Sequence, residues 1–151
     1  MRLPMKLMIG GYAQGKLSYV LLKYQLSEDA VWDSVLPEET ELRRKQRMHC
    51  VEHGVLPDQT AASVEPIVVN HFHQWVRRRL SEGECPEKDV QSFLNRCENC
   101  IIICDEIGNG IVPVDAFERE YRERTGRILI RLAQEAEEVE RVICGIGQRI
   151  K

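Results

Sequence analysis

The stretch Leu7-Met8-Ile9-Gly10-Gly11-Tyr12-Ala13-Gln14-Gly15-Lys16-Leu17-Ser18 constrains this chain more than any other. A short apolar run, readable as a strand, stops at paired glycines. Four residues separate Gly10 from Gly15-Lys16, and an apolar helical pattern of Val20, Leu21 and Tyr24 follows. This is the Gly-x-x-x-x-Gly-Lys layout of a phosphate-binding loop. Its glycines let the backbone curl until N–H groups face an anion, the next helix adds its positive end, and the lysine reaches the outer phosphates. The candidate nucleotide-binding residues here are Gly10, Gly11, Tyr12, Ala13, Gln14, Gly15, Lys16 and Leu17. One part is missing: Leu17 stands where a Ser or Thr hydroxyl would hold magnesium, and Ser18 comes one residue late. The alternative reading is an ordinary glycine-rich strand-to-helix turn.

Beyond the loop, apolar strands alternate with helices. Ala30-Val31-Trp32 reads as a short strand, and Pro37-Glu38-Glu39 opens a charged helix that Gly54 closes. Pro57 to Ser63 reads as a loop, and Pro66 to Val69 as a buried strand ending at Asn70-His71. Helices are expected from about Phe72 to Leu80 and from Val90 to Arg96, with a break from Gly83 to Pro86, and then a strand from Cys100 to Cys104. Two amphipathic helices follow, Val114 to Arg122 and Gly126 to about Val139, with a charged face at Glu135, Glu137, Glu138 and Glu140. Arg141 to Cys144 is the last expected strand, before Gly145-Ile146-Gly147. Unbroken apolar strands between helices define an α/β fold of the P-loop NTPase type, with a mainly parallel central sheet flanked by helices. Ligands of such a sheet sit at the carboxyl ends of its strands. Those ends carry the phosphate loop, Asn70-His71, Asp105-Glu106 and Gly145-Ile146-Gly147.

Length and charge narrow the function classes. The 151 residues make one domain, and a net charge of −3 gives no nucleic-acid footprint beyond the cluster Arg43, Arg44, Lys45 and Arg47. No apolar run has the length of a membrane span. The N-terminus leads straight into the loop strand, so no cleaved signal is expected. Cys97-Glu98-Asn99-Cys100 has zinc-ligand spacing, but no second pair sits at a suitable distance, and Cys100 and Cys104 bracket an apolar run. Buried thiols in a reducing cytoplasm are the expectation. His71 and His73 do not read as a metal pair, because alternate residues of a helix do not face each other.

The last third then carries a resemblance. Asp105-Glu106-Ile107-Gly108-Asn109-Gly110-Ile111-Val112-Pro113, Gly126-Arg127, Arg131-Leu132-Ala133 and the ending Gly145-Ile146-Gly147-Gln148-Arg149-Ile150-Lys151 resemble the bifunctional adenosylcobinamide kinase/adenosylcobinamide-phosphate guanylyltransferase family. The family's phosphate loop usually reads Gly-Gly-x-Arg-Ser-Gly-Lys-Ser, and Gly10 to Leu17 lies on it. The resemblance implies ATP or GTP as a substrate, Mg2+, and adenosylcobinamide as the corrinoid substrate. It implies two reactions. A triphosphate phosphorylates the aminopropanol hydroxyl of the corrinoid; a histidine then takes GMP from GTP and passes it to the phosphorylated corrinoid. The family's histidine lies on a basic helix, which makes His49 the candidate nucleophile and His53 the fallback. Lys16 would act on the phosphates, and Glu106 and Gly108 would shape the nucleotide or corrinoid site. A homo-oligomer, typically a trimer, is also implied.

Departures from the family converge on one ion. Besides Leu17, the strand ending at Val69 carries Asn70 where the family has an acid, and a neutral amide cannot neutralise magnesium. Asp105 stands where the family commonly has Asn. An apolar strand ending in two acids makes Asp105 a candidate magnesium ligand that replaces the missing carboxylate; loop capping is the simpler alternative. Loss of the kinase half, or a non-catalytic nucleotide-binding paralogue, are the competing readings.

Overall fold

The computed structural model describes residues 5–53, 65–97 and 99–151. The elements run β1 (Met5–Gly10), α1 (Lys16–Lys23), β2 (Val31–Asp33), α2 (Glu39–His53), β3 (Ile67–Asn70), α3 (Phe72–Ser81), α4 (Pro86–Arg96), β4 (Cys100–Asp105), α5 (Ala116–Glu135), β5 (Glu138–Ile143) and β6 (Ile146–Arg149). The sheet order is β2-β3-β4-β1-β5-β6. The first five strands in this order are parallel to one another and β6 is antiparallel to β5. The fold is the expected P-loop NTPase-like α/β class. Gly54 and the Pro57 to Ser63 loop lie outside the described residues.

The central strands are apolar on both faces because both faces are covered. Met8, Val68, Ile101 and Ile103 pack with Val20 of α1, and Leu17 and Tyr19 lean on the same cluster. Their sequence neighbours Leu7, Val69, Ile102 and Cys104 point the other way, into a larger core with Phe72, Trp75, Phe93, Tyr121 and Ile128. The period of two in each strand thus assigns α1 to one face and α3, α4 and α5 to the other. Cys97, Cys100 and Cys104 are buried in the larger core, and burial pushes the Cys104 thiol up to about 12. These thiols are packing groups, and no group of three or more metal-ligating side chains occurs among the described residues.

Four expectations are corrected. The two helices after the Gly108-to-Pro113 loop are one, α5, which runs through Gly126 without a break. Gly costs a helix interior only about 1 kcal/mol relative to Ala, and the buried Tyr121, Thr125, Ile128 and Leu132 hold one continuous stripe against the sheet. The helix also stops at Glu135, so Glu138 and Glu140 belong to β5. Glu140 is 4% exposed and meets Lys23 Nζ at 2.7 Å and the Tyr19 hydroxyl at 3.2 Å, rather than lining an outer helix face. The strand beginning at Arg141 begins at Glu138 and is not the last; Cys144-Gly145 turns the chain into β6. Finally, α4 begins four residues early, because Pro86 serves as a first-turn residue instead of a breaker.

A bidentate ion pair ties α4 to α5: Arg124 donates to the two oxygens of Glu87 at 2.8 and 2.7 Å. That guanidinium holds the Glu87 carboxyl down at about 2, below its ordinary 4.5. A depressed carboxylate adds stability that is present above its unfolded value and is lost as pH falls toward the folded one. Glu87→Gln is therefore expected to cost about 1–2 kcal/mol at pH 7, after allowance for solvent screening of a partly exposed pair. The gap from the unsubstituted chain should close between about pH 4.5 and pH 2. Urea unfolding at pH 7 and pH 2 checks this; an equal gap at both would contradict it.

Candidate functional site

The phosphate loop is built by β1, which ends at Gly10, and by α1, which starts at Lys16. Gly10 must be glycine for space: a Cβ there would sit 2.5 Å from the Val142 carbonyl oxygen of β5. Gly15, the residue before α1, has φ 80 and ψ 25, a left-handed turn that only glycine adopts at no steric cost. Gln14 pins the loop to the β5–β6 turn. Its side-chain oxygen accepts from the Cys144 N–H and its carbonyl from the Gly145 N–H, both at 2.8 Å. No side chain caps the N-terminus of α1. Among the described residues, none accepts a hydrogen bond from the N–H groups of Gly11 to Gly15. An uncapped helix end beneath unpaired loop N–H groups has donors to offer an anion.

Lys16 completes it. The residue is 7% exposed, and its ammonium donates to the Gly11 carbonyl at 2.6 Å and meets Asp105 Oδ1 at 2.7 Å. Asp105 reaches it because β1 and β4 are direct neighbours in register, with Gly10 opposite Asp105. The other carboxylate oxygen lies 3.6 Å from His73 Nε2. His73 Nδ1 accepts the backbone N–H of Asp105 at 3.2 Å, which puts the proton on Nε2, toward the carboxylate. Burial lowers the affinity of this imidazole for a second proton, with Asp105 opposing and His71 and Lys16 adding to the effect. The result is a three-group contact of ammonium, carboxylate and neutral imidazole at the loop.

The remaining candidates are placed as follows. Tyr12 is 85% exposed at the loop tip. Leu17 turns into the apolar cluster under α1, so the helix face that carries a hydroxyl in other phosphate loops is here a packing face. Glu106 sits at the same rim, where it donates its N–H to the Gly10 carbonyl at 2.8 Å and holds Arg141 through both oxygens at 2.8 and 2.9 Å. Gly108 lies in the exposed loop that Arg122 gathers by donating to the carbonyls of Ile107, Asn109 and Ile111. His49 and His53 both fall on α2; their side chains lie outside what the structure describes.

The contacts of three residues of this rim are not legible in the sequence alone. Helical spacing keeps His71 and His73 apart only if both are helical. His71 is instead the residue before α3, with φ 51 and ψ 46, and that turn brings its ring within 5.8 Å of the His73 ring. Asp33 of β2 meets His71 Nδ1 at 2.6 Å across 38 residues of sequence, a pairing only the sheet order creates. A cleft of about 640 Å³ lined by Leu36, Trp75, Arg78 and Arg96 lies among α2, α3 and α4 and contains no phosphate-loop residue.

A mainly parallel sheet that ends in a Gly-x-x-x-x-Gly-Lys loop, with the lysine folded into it, is the P-loop NTPase-like class of fold. Within that class the sequence is more specific. The family model described as cobinamide kinase / cobinamide phosphate guanyltransferase matches residues 29–150, and the chain belongs to that family. The matched range begins after the phosphate loop, so fold and loop stand as separate observations. Two curated relatives are similar over shorter stretches. The bifunctional adenosylcobalamin biosynthesis protein CobU of Salmonella typhimurium is 36% identical over 69 residues, which is 43% of this chain and 38% of the relative. Its namesake from Escherichia coli strain K12 is 37% identical over 67 residues, 42% of this chain and 37% of the relative. The match thus spans less than two fifths of either relative.

Proposed function

We propose that this protein is a nucleotide-dependent transferase of cobalamin nucleotide-loop assembly. It phosphorylates adenosylcobinamide, transfers GMP from GTP to adenosylcobinamide phosphate, or does both. The observation that carries the reading is Lys16, held in a loop of unpaired N–H groups within 2.7 Å of Asp105. A triphosphate entering that loop exchanges one anion for another at the ammonium: the outer phosphates take Lys16 and free the Asp105 carboxylate.

Magnesium fits this arrangement. The ion asks for one or two carboxylates and shares the rest of its shell with phosphate and water. Asp105 is a carboxylate already at the loop lysine, and Glu106 beside it is engaged by Arg141. Asp105 would hold the ion, which supplies charge neutralisation of the β- and γ-phosphates. Asp105→Asn is expected to weaken magnesium-dependent nucleotide binding about tenfold, the order of a single carboxylate contact at a partly exposed site. Calorimetry with and without magnesium checks this, and an unchanged affinity would contradict the assignment.

In the guanylyl half, an imidazole nitrogen attacks the α-phosphorus, the bond to the β-phosphate oxygen breaks and pyrophosphate leaves. His49 on the basic helix α2 is the proposed acceptor. Incubation with α-labelled GTP and magnesium should give an acid-labile, alkali-stable label on the protein that His49→Ala lacks. A label retained in that variant moves the role to another histidine. The same proposal has the protein act in the cytoplasm as a homo-oligomer, with a trimer the form that the resemblance implies. A second reading, a non-catalytic nucleotide-binding paralogue, is favoured by one observation: Leu17 packs into the core where a magnesium hydroxyl belongs.

A further inference from the structure

The Asp33–His71 pair has the form of an oriented base. A carboxylate only accepts hydrogen bonds, so at 2.6 Å from Asp33 Oδ1 it is His71 Nδ1 that carries the proton, which leaves the Nε2 lone pair outward. Asn70 Nδ2 donates to the same Asp33 oxygen at 3.0 Å and fixes the carboxylate. The backbone is bent to make this contact. His71 and Ser34, the residues that follow β3 and β2, both have positive φ, 51 and 58, and the Ser34 N–H donates to the Asn70 carbonyl at 2.8 Å. Strained non-glycine residues of this kind persist where the surroundings over-determine them, and they concentrate at working sites.

Its place in the sheet says what such a base would meet. In the order β3-β4-β1, the end of β3 lies two strand gaps from the loop, about 10 Å. An acceptor hydroxyl about 3–3.5 Å from the phosphorus and hydrogen-bonded to a base fits within that gap, and the His71 ring lies on the loop side of β3, 5.8 Å from the His73 ring that meets Asp105. The His71 side chain is 40% exposed and open to such a molecule.

We propose that His71, oriented by Asp33, takes the proton of the alcohol that receives the phosphoryl group. The inference rests on the phosphoryl-transfer reading above. The hydroxyl oxygen bonds to the γ-phosphorus, the bridging bond to the β-phosphate breaks, and the nucleoside diphosphate leaves with that electron pair. The hydroxyl proton passes to His71 Nε2 and then to solvent. Besides Asp33 on β2, the group facing the ring is His73 on α3, with Asp105 of β4 and Lys16 of α1 behind it. Arg78 and Gln74 on α3 are turned to Ser34.

His71→Asn keeps a residue that tolerates positive φ. Phosphorylation of adenosylcobinamide by this variant, measured as label transfer from a γ-labelled triphosphate, is expected to show kcat lower by about 100-fold. The KM for nucleotide should stay within about twofold, since the base acts on the acceptor. His71→Gly should regain rate with added imidazole, a response that a purely structural histidine would not give. Transfer by His71→Asn at the unsubstituted rate, or no rescue of His71→Gly by imidazole, overturns this role alone. No transfer by the unsubstituted chain, with GMP transfer intact, overturns the kinase reading and this role with it.

Discussion

Lys16→Met is expected to lower nucleotide-dependent turnover by about 100- to 1,000-fold, the loss seen when one preorganised charge or donor is removed from a water-poor site. The physical reason is the position of the ammonium. It is almost fully buried, its stem fills the space beside Gly10, and its partners are one carbonyl and one carboxylate that cannot substitute for it. Methionine keeps most of the volume and removes the charge. A second effect follows, because Asp105 is left at 13% exposure with only His73 beside it. Breaking one side of a buried pair costs up to about 3–5 kcal/mol. The double variant Lys16→Met with Asp105→Asn separates the two effects: stability should recover and turnover should not. Urea unfolding together with the transfer assay checks both. Full activity in Lys16→Met would remove the loop from the chemistry.

Gly10→Ala should lower stability through packing alone. The added methyl would lie 2.5 Å from the Val142 carbonyl oxygen, and the obstacle is strand backbone, which cannot rotate aside as a side chain would. Either β1 or β5 must move, at the sheet position where Lys16 and Asp105 are set opposite each other. Overpacking of this kind costs about 3 kcal/mol, or a fall in Tm of about 10 °C for a chain of this length. Nucleotide affinity should fall with it, because the Lys16 side chain passes within 3.3–3.5 Å of the same point. Thermal unfolding with and without GTP measures both. A Tm within a degree or two of the unsubstituted chain would contradict the packing account.

The parts of this site that could be read from the sequence are those in which one short segment carries its own geometry. The glycine spacing from Gly10 to Lys16 specifies strand, turn and helix together, and the apolar run ending at Asp105 specifies a strand end with an acid on it. Contacts between distant segments were a different matter. Asp33, Asn70 and His71 are brought together by β2–β3 pairing, and nothing local to any of them announces it. Helical spacing does not reach His71, because it is a left-handed residue before α3 and not part of the helix. Exposed edges also leave a weak trace. Ile146-Gly147-Gln148-Arg149 forms β6 through pairing with β5, with no buried face to impose alternation. Gly126 misleads for the opposite reason, because the apolar stripe of α5 outweighs its local penalty. The basic helix α2 follows the charge pattern that places it after Pro37.

Under the proposed function, Leu17 and Asn70 both bear on one magnesium ion, and Asp105, 2.7 Å from the Lys16 ammonium, is the carboxylate that would hold it. If that exchange works, the protein keeps its transfer chemistry with a rearranged metal side; if not, it binds nucleotide and stops there. The most direct test follows the corrinoid. Adenosylcobinamide is incubated with the protein, magnesium and either γ-labelled ATP or α-labelled GTP, and the corrinoid is separated and counted. The account predicts label on the corrinoid from at least one of the two nucleotides, lost in Lys16→Met. Nucleotide binding by calorimetry with no label on the corrinoid from either would contradict it, and would make the protein a nucleotide-binding paralogue.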